Sequence, residues 1–385
     1  MQGGIADHTA YLAQHLAPLG VEASILISRR WQNAQTSKVS QPIFALLPNW
    51  GWRCWPGVFD FLKAHQPDVL HIQYQAAAFD LGGWVNWLPW FLKKRGVVTR
   101  IVTTFHDLRV PYIFPKAGSF RRRSMLALAR YSDAVICTNR EDLAQLSMAN
   151  SQAQISSTPL LRLIPLGSNV EPQPPAGFNR DMWRRKYEAG DNTLLMAYFG
   201  FLNESKGGEE LIEALALLRQ QGLDVRLLLI GGDLGHADPT NVAYAEQVQA
   251  LIDQLQLADF VYRTGYTGLP EVSANLLAAD MVVMPYRDGV SFRRTTLIAA
   301  LRHGCPVVST HPADHGTVPE IQPGENMLLV PSRDPATLAQ TVAMLAGNGA
   351  LRAKLSQGAA RLGQMFEWDK IARDTAELYQ TIMDT

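Results

Sequence analysis

Short apolar runs, each followed by a loop and an amphipathic helical pattern, recur through residues 194–310, and this alternation constrains the fold more than any other feature. Residues 194–200 (LLMAYFG), 225–231 (VRLLLIG), 260–264, 281–285 (MVVMP) and 306–310 (PVVST) read as strands. Helical patterns over 209–220, about 244–255 and 295–302 fall between them, with Gly222 and Gly304 as stops. A strand that is apolar on both faces is one that helices cover on both sides, which is the environment of a parallel sheet. Five such strands with helices between them make a doubly wound α/β layer, whose ligands sit at the carboxyl ends of the strands.

The first half repeats the theme. Strands are expected at 21–28, 69–73, 101–105, 134–138 and 161–165, with helices that include 10–19 and 121–131. Between the halves, EPQPPAGFN (171–179) has the prolines of an interdomain connection. The expected organisation is two Rossmann-like domains, 1–170 and 193–364, joined by a linker at 171–192 and followed by a C-terminal segment, 365–385. The last helix, 368–383, either crosses back to the first domain or packs on its own. A Rossmann half opens with a strand ahead of its glycine turn. Here Gly3 and Gly4 stand at the start, so the expectation is a first domain lacking its first strand, because the chain is truncated, its start is misassigned, or the sheet does without that strand.

Composition narrows the chemistry. The formal net charge of +0 gives no global attraction to nucleic acid. The cysteines, Cys54, Cys137 and Cys305, are far apart, which argues against a disulfide framework or a zinc site. No apolar run reaches the roughly 18 residues of a membrane span, and Asp7 and His8 interrupt any signal-peptide core, so a cytoplasmic protein is expected. No G-x-G-x-x-G follows a strand, which weighs against a dinucleotide-dependent oxidoreductase.

Seven segments taken in order carry a resemblance: GGIADHTAYLAQHL (3–16), IVTTFHD (101–107), YSDAVICTNREDLAQL (131–146), LIPLGSNV (163–170), FGFLNESKGGEELIEAL (199–215), HGCPVVST (303–310) and PEIQPGENMLLVP (319–331). The series resembles the retaining family-four glycosyltransferases of the GT-B fold over nearly the whole chain. The resemblance implies two Rossmann-like domains facing across a cleft. It implies transfer of a sugar from a nucleotide-diphosphate donor to the hydroxyl of a saccharide or lipid-linked acceptor, with no metal or cofactor. Cell-surface polysaccharide or glycolipid synthesis is the use it implies.

The resemblance also nominates residues. Gly3 and Gly4, ahead of a helix, let backbone N–H groups approach a phosphate, or make an ordinary tight turn. Lys206, in the loop after a strand, is expected to place its charge on the leaving diphosphate. His106, ending a strand, is expected near the donor sugar, with Asp107 beside it. Glu320 is expected near sugar or nucleotide hydroxyls, and Asp7 and His8 are candidates for the acceptor side, Asp7 equally for a helix cap. The donor loop departs from the family: Asp288-Gly289 stands for a first glutamate, Ala299 replaces a second, and Phe201 replaces an arginine. Arg293 and Arg294, ahead of Thr295 and Thr296 at a helix start, are the expected compensation. His311, Asp314 and His315 match no metal-ligand spacing.

Trp50, Trp52, Trp55, Trp84, Trp87 and Trp90 accompany basic clusters at 93–95 and 121–123. They read either as core or as a peripheral contact with a membrane interface. Against the transferase reading stands a donor binder without turnover, which Phe201 and Ala299 favour.

Overall fold

A computed structural model of the protein describes residues 4–31, 40–108, 118–152, 159–231 and 239–385. It divides into two compact units, Met1–Gly167 with Glu367–Thr385, and Ser168–Phe366.

The first unit opens on α1 (Gly4–Leu16) and continues β1 (Ile25–Ser28), β2 (Ile43–Leu47), α2 (Cys54–His65), β3 (Val69–Tyr74), α3 (Leu88–Lys94), β4 (Arg100–Phe105), α4 (Gly118–Tyr131), β5 (Ala134–Cys137), α5 (Arg140–Gln152) and β6 (Leu160–Leu163). Strands β3-β4-β5-β6 form a parallel sheet in that order. The run at 21–28 yields a strand only from Ile25, and it pairs in parallel with β2, which the sequence did not announce, as a separate two-stranded sheet. The helix Trp368–Met383 belongs to this unit. Its Ile371, Leu378 and Ile382 share a core with Leu12 and Leu16 of α1 and Val102 and Ile136 of the sheet.

The second unit contains α6 (Arg180–Arg185), β7 (Leu194–Phe199), α7 (Gly208–Gln220), β8 (Val225–Ile230), α8 (Pro239–Gln254), β9 (Val261–Arg263), α9 (Leu269–Ala278), β10 (Met281–Met284), α10 (Thr295–Arg302), β11 (Val307–Thr310), β12 (Leu328–Val330), α11 (Pro335–Ala346) and α12 (Gly349–Gly363); the chain then ends on α13 (Trp368–Met383). Its parallel sheet has the order β12-β11-β10-β7-β8-β9. The sheet has six described strands rather than five, because the partly buried run 328–330 joins its edge. The α/β class and the parallel layers are those expected.

The proline-bearing segment is held by hydrogen bonds. Residues 171–192 fall in the second unit and pack on it. Buried Arg184 donates to Asp280 at 2.9 Å, to the Thr193 carbonyl at 2.7 Å and to the Ala278 carbonyl at 3.0 Å. Trp183 and Tyr187 both donate to Asn275 Oδ1, at 2.7 and 2.6 Å. A guanidinium with several partners tolerates burial, so a polar segment without apolar periodicity is fixed by hydrogen bonds instead.

No helix among the described residues is long and apolar enough to cross a membrane.

Candidate functional site

In the second unit the chain leaves β7 toward β8 and β9 on one side, then crosses back to β10, β11 and β12 on the other. The switch therefore falls between β7 and β10, and the crevice at their carboxyl ends is where an open α/β sheet binds ligands. Two loops meet there.

The loop after β7 carries Lys206, at the end of a single turn of 3-10 helix, Glu204–Lys206. Gly200 makes room for it. A Cβ at Gly200 would meet Lys206 Nζ at 3.3 Å and Thr296 Cγ2 at 3.1 Å, so the lysine head and the first turn of α10 converge on one backbone atom. Gly207, at φ +69°, then turns the chain into α7 against the Pro285 carbonyl, where any side chain would overlap that oxygen. Lys206 pairs with no carboxylate among the described residues. Desolvation by burial and then the nearby Arg294 lower its pKa to about 8.

The loop after β10 carries the second cation. Arg294 lies over the Tyr286 ring at 4.0 Å and is ion-paired to Asp288. Arg294 is also the N-cap residue of α10, and neither α10 nor α7 has its end capped by an N-cap side chain. Positive charge from Lys206 and Arg294 and the amide-rich start of α10 thus gather at the switch point, an arrangement suited to a phosphate.

The structure brings Lys206, Arg294, Asp288 and Thr296 together, with Thr295 as the first residue of α10. Gly289 turns the loop against the His311 carbonyl, 2.6 Å from where a Cβ would stand. The backbone amide of Arg293 donates to Ser291 Oγ at 3.3 Å, and the charge that acts on Lys206 is that of Arg294. Glu320 is half-buried and its carbonyl accepts from Asn326 Nδ2 at 2.9 Å. Phe201 is 48% exposed, whereas Ala299 is fully buried, so position 299 offers no ligand group. Beside these loops an open groove of about 860 Å³ is lined by Asn203, Glu204, Ser205, Tyr244, Arg287 and Asp288 among others.

In the first unit, His106 follows the last residue of β4 and belongs to a partly buried polar chain. Its Nε2–H donates to Gln73 Oε1 at 2.8 Å. The Gln73 amide nitrogen lies 3.3 Å from His71 Nε2, which is bonded to Thr104 Oγ1 at 2.7 Å. His71 Nδ1 meets the Tyr379 hydroxyl of α13 at 2.6 Å. His8 packs edge-on to His106, with ring centroids 4.6 Å apart, and to Trp368 at 5.0 Å. His8, an acceptor-side candidate, is buried at 5% exposed. Asp7 lies in the first turn of α1 and Gly4 begins that helix, while Gly3 lies outside the described residues. Sequence reading missed His71, Gln73, Tyr379 and Trp368. The one available signal was the spacing of His71 and Gln73, which places both on one face of β3.

Burial keeps these histidines neutral. Desolvation lowers His106 to about 4; desolvation and then His106 lower His71 to about 3, and His8 also falls well below 6.5. Bases with a depressed folded pKa take up protons first in the unfolded chain, so the first unit loses stability as the pH falls below 6.5 and goes on losing it to about 3. Thermal unfolding followed across that window is expected to show a steady fall in its midpoint. His106→Gln is expected to make the fall shallower, and an unchanged slope would contradict the neutral assignment.

The aromatic cluster divides. Trp50 packs on Phe79, and Trp55 donates to the Trp84 carbonyl at 3.0 Å. Trp52 and Trp84 are exposed, with Arg53 over the Trp52 ring at 5.6 Å. Among the described residues no group of three or more His, Cys, Asp or Glu stands together as a metal-ligand set.

A family model described as Glycosyltransferase Family 4 matches residues 2–150, and one described as Glycosyl transferases group 1 matches residues 193–348. A D-inositol 3-phosphate glycosyltransferase of Streptomyces avermitilis is 28% identical over 219 residues, 56% of this chain and 46% of the relative. WcaL of Salmonella typhimurium, named for colanic acid biosynthesis, is 30% identical over 205 residues, 51% of this chain and 48% of that protein. The chain thus spans about half the length of these curated relatives. Among solved structures, HepE of Anabaena in complex with UDP superposes with a TM-score of 0.77 at 18% identity, covering 99% of this chain and 97% of that one. Sucrose-phosphate synthase from Thermosynechococcus elongatus gives 0.73 at 20% identity, covering 99% and 94%. At such identities these superpositions show the fold.

Proposed function

We propose that this chain, which belongs to the family-four glycosyltransferases of the GT-B fold, moves a sugar from a nucleotide-diphosphate donor to an acceptor hydroxyl with retention of anomeric configuration. The observation that carries this reading is the convergence of Lys206 and Arg294 at the β7/β10 switch point. A departing diphosphate develops charge, and fixed cations in a desolvated crevice stabilise it more than water would. The solved relative HepE holds UDP in one structure and UDP-glucose in another, which supports a nucleotide-sugar donor here.

In this reading Lys206 and Arg294 hold the diphosphate, Asp288 sets the direction of the Arg294 guanidinium, and Thr295 and Thr296 offer the amides of the helix start. Arg293 adds charge at the entrance to that turn. His106, neutral and held by Gln73, contacts the sugar, and His8 supports its ring from below. Glu320 serves a sugar or nucleotide hydroxyl, and Gly4 and Asp7 belong to the helix start on the acceptor side. A saccharide or lipid-linked acceptor, within cell-surface polysaccharide or glycolipid synthesis, fits the naming of WcaL. The exposed indoles of Trp84 and of Trp52, over which Arg53 lies, support a peripheral contact with an anionic membrane surface. The reaction is tested by incubating the protein with the nucleotide sugar that binds and following the released or transferred sugar by proton NMR. The first-formed product is expected in the donor's anomeric configuration; the opposite anomer contradicts retention. Donor binding without any turnover is the second reading, favoured by Phe201 and Ala299.

A further inference from the structure

Arg287 takes part in none of the roles above, yet it has one of the densest sets of partners on the second unit. It stands in the loop after β10, between Tyr286, on which Arg294 lies, and Asp288, to which Arg294 is paired. Its backbone amide donates to the Ser205 carbonyl at 2.8 Å, one residue before Lys206. Its guanidinium reaches Glu210 at 2.7 Å, Glu209, and Glu204 at 3.5 Å, so it grips residues on both sides of Lys206 in sequence. Glu210 is buried, and the Glu209 amide in turn donates to the Tyr244 hydroxyl at 3.2 Å. On the opposite side the same turn is closed by Gly207 against the Pro285 carbonyl.

We infer that Arg287 is a positioning residue: it fastens the turn that presents Lys206 to the loop that presents Arg294, and so sets the spacing of the two cations. The carboxylates that flank Lys206 in sequence, those of Glu204, Glu209 and Glu210, are drawn to Arg287 rather than to the Lys206 ammonium. A lysine at 287 lacks the planar fork that serves three carboxylates at once. A first contact held this way is preorganised by its supporting groups, and a displacement of about 1 Å is enough to weaken it substantially. What the position of Lys206 is for rests on the donor reading above; the clamp itself does not.

The test separates the two. Labelling of Lys206 by an acylating reagent, read by peptide mass spectrometry across pH and identified with Lys206→Ala as control, needs no nucleotide. In the wild type the labelling midpoint is expected near Lys206's value of about 8. In Arg287→Gln the turn is released into water, and the midpoint is expected to rise by about one pH unit or more toward the ordinary lysine value. The charge acting directly on Lys206 is Arg294's, so such a shift reports position. Because Arg287→Gln leaves Glu210 buried without its cation, the Arg287→Gln/Glu210→Gln protein is measured as well; it removes both charges and is expected to shift in the same way. Titration with nucleoside diphosphates is expected to show about tenfold weaker binding in these variants. A folded variant whose Lys206 labels with wild-type midpoint and rate overturns the inference. Wild-type protein that binds no nucleotide while the labelling shift is seen overturns the donor reading alone.

Discussion

Replacing Lys206 by alanine is expected to lower sugar transfer by about 10²–10³-fold, the cost of removing one preorganised charge aimed at a leaving group. The loss comes without a loss of fold. Lys206 makes no ion pair among the described residues, and burial together with Arg294 already holds its pKa down to about 8. An ammonium kept in such surroundings lowers stability, so Lys206→Ala is expected to melt at or above the wild-type temperature. Lys206→Arg is expected to rescue little, because a planar guanidinium fork does not place a compact charge at the same point as an ammonium. Steady-state transfer assays on the three proteins check this. Turnover in Lys206→Ala within threefold of wild type would remove the residue from the mechanism.

Trp368→Ala is expected to destabilise the first unit by about 3–5 kcal/mol, the usual cost of emptying a buried tryptophan site. The ring is 3% exposed, stacks on Tyr11 at 5.3 Å and packs against His8 at 5.0 Å, and it lies directly against Gly167, where no Cβ has room. It opens α13, the helix that returns to the first unit and brings Tyr379 to His71. Differential scanning calorimetry is expected to resolve a transition of the first unit lowered by roughly 10 °C or more, with that of the second unit unmoved. A shift of a degree or two would mean that α13 contributes little to the first unit's core.

What the sequence made legible follows from the physics of each signal. Buried strands announce themselves, and the runs at 194–200, 225–231 and 281–285 were placed to within one residue at each end. The helices 295–302 and 368–383 were placed with their observed bounds, since a strong apolar stripe, a threonine start or a following glycine marks them. Strands β2 and β12 were missed because each is short and only partly buried, so its pattern resembles a loop. How the segment 171–192 is held was not legible because its attachment is polar: Arg184 reaches a carboxylate at position 280, and nothing in the local pattern announces such a bond. The candidate site shows the same limit. Lys206 and Arg294 could each be nominated from its own loop, but their meeting depends on β10 lying beside β7, which is a property of strand order. The chain from His106 through Gln73 and His71 to Tyr379 spans most of the polypeptide, and only the packing of α13 on the first unit assembles it.

The central claim, that the switch-point crevice binds the diphosphate of a sugar nucleotide through Lys206, is tested most directly by calorimetric titration. UDP, GDP and ADP are titrated into the wild type and Lys206→Ala, at pH 7 and at pH 9.5. One nucleotide is predicted to bind the wild type at pH 7 with micromolar affinity, about −8 kcal/mol. Above the Lys206 value of about 8 the ammonium loses its proton, so binding is predicted to be about tenfold weaker at pH 9.5 and near the limit of detection in Lys206→Ala. Equal affinity in wild type and Lys206→Ala at both pH values, or no binding of any nucleotide to the folded wild type, would contradict the claim.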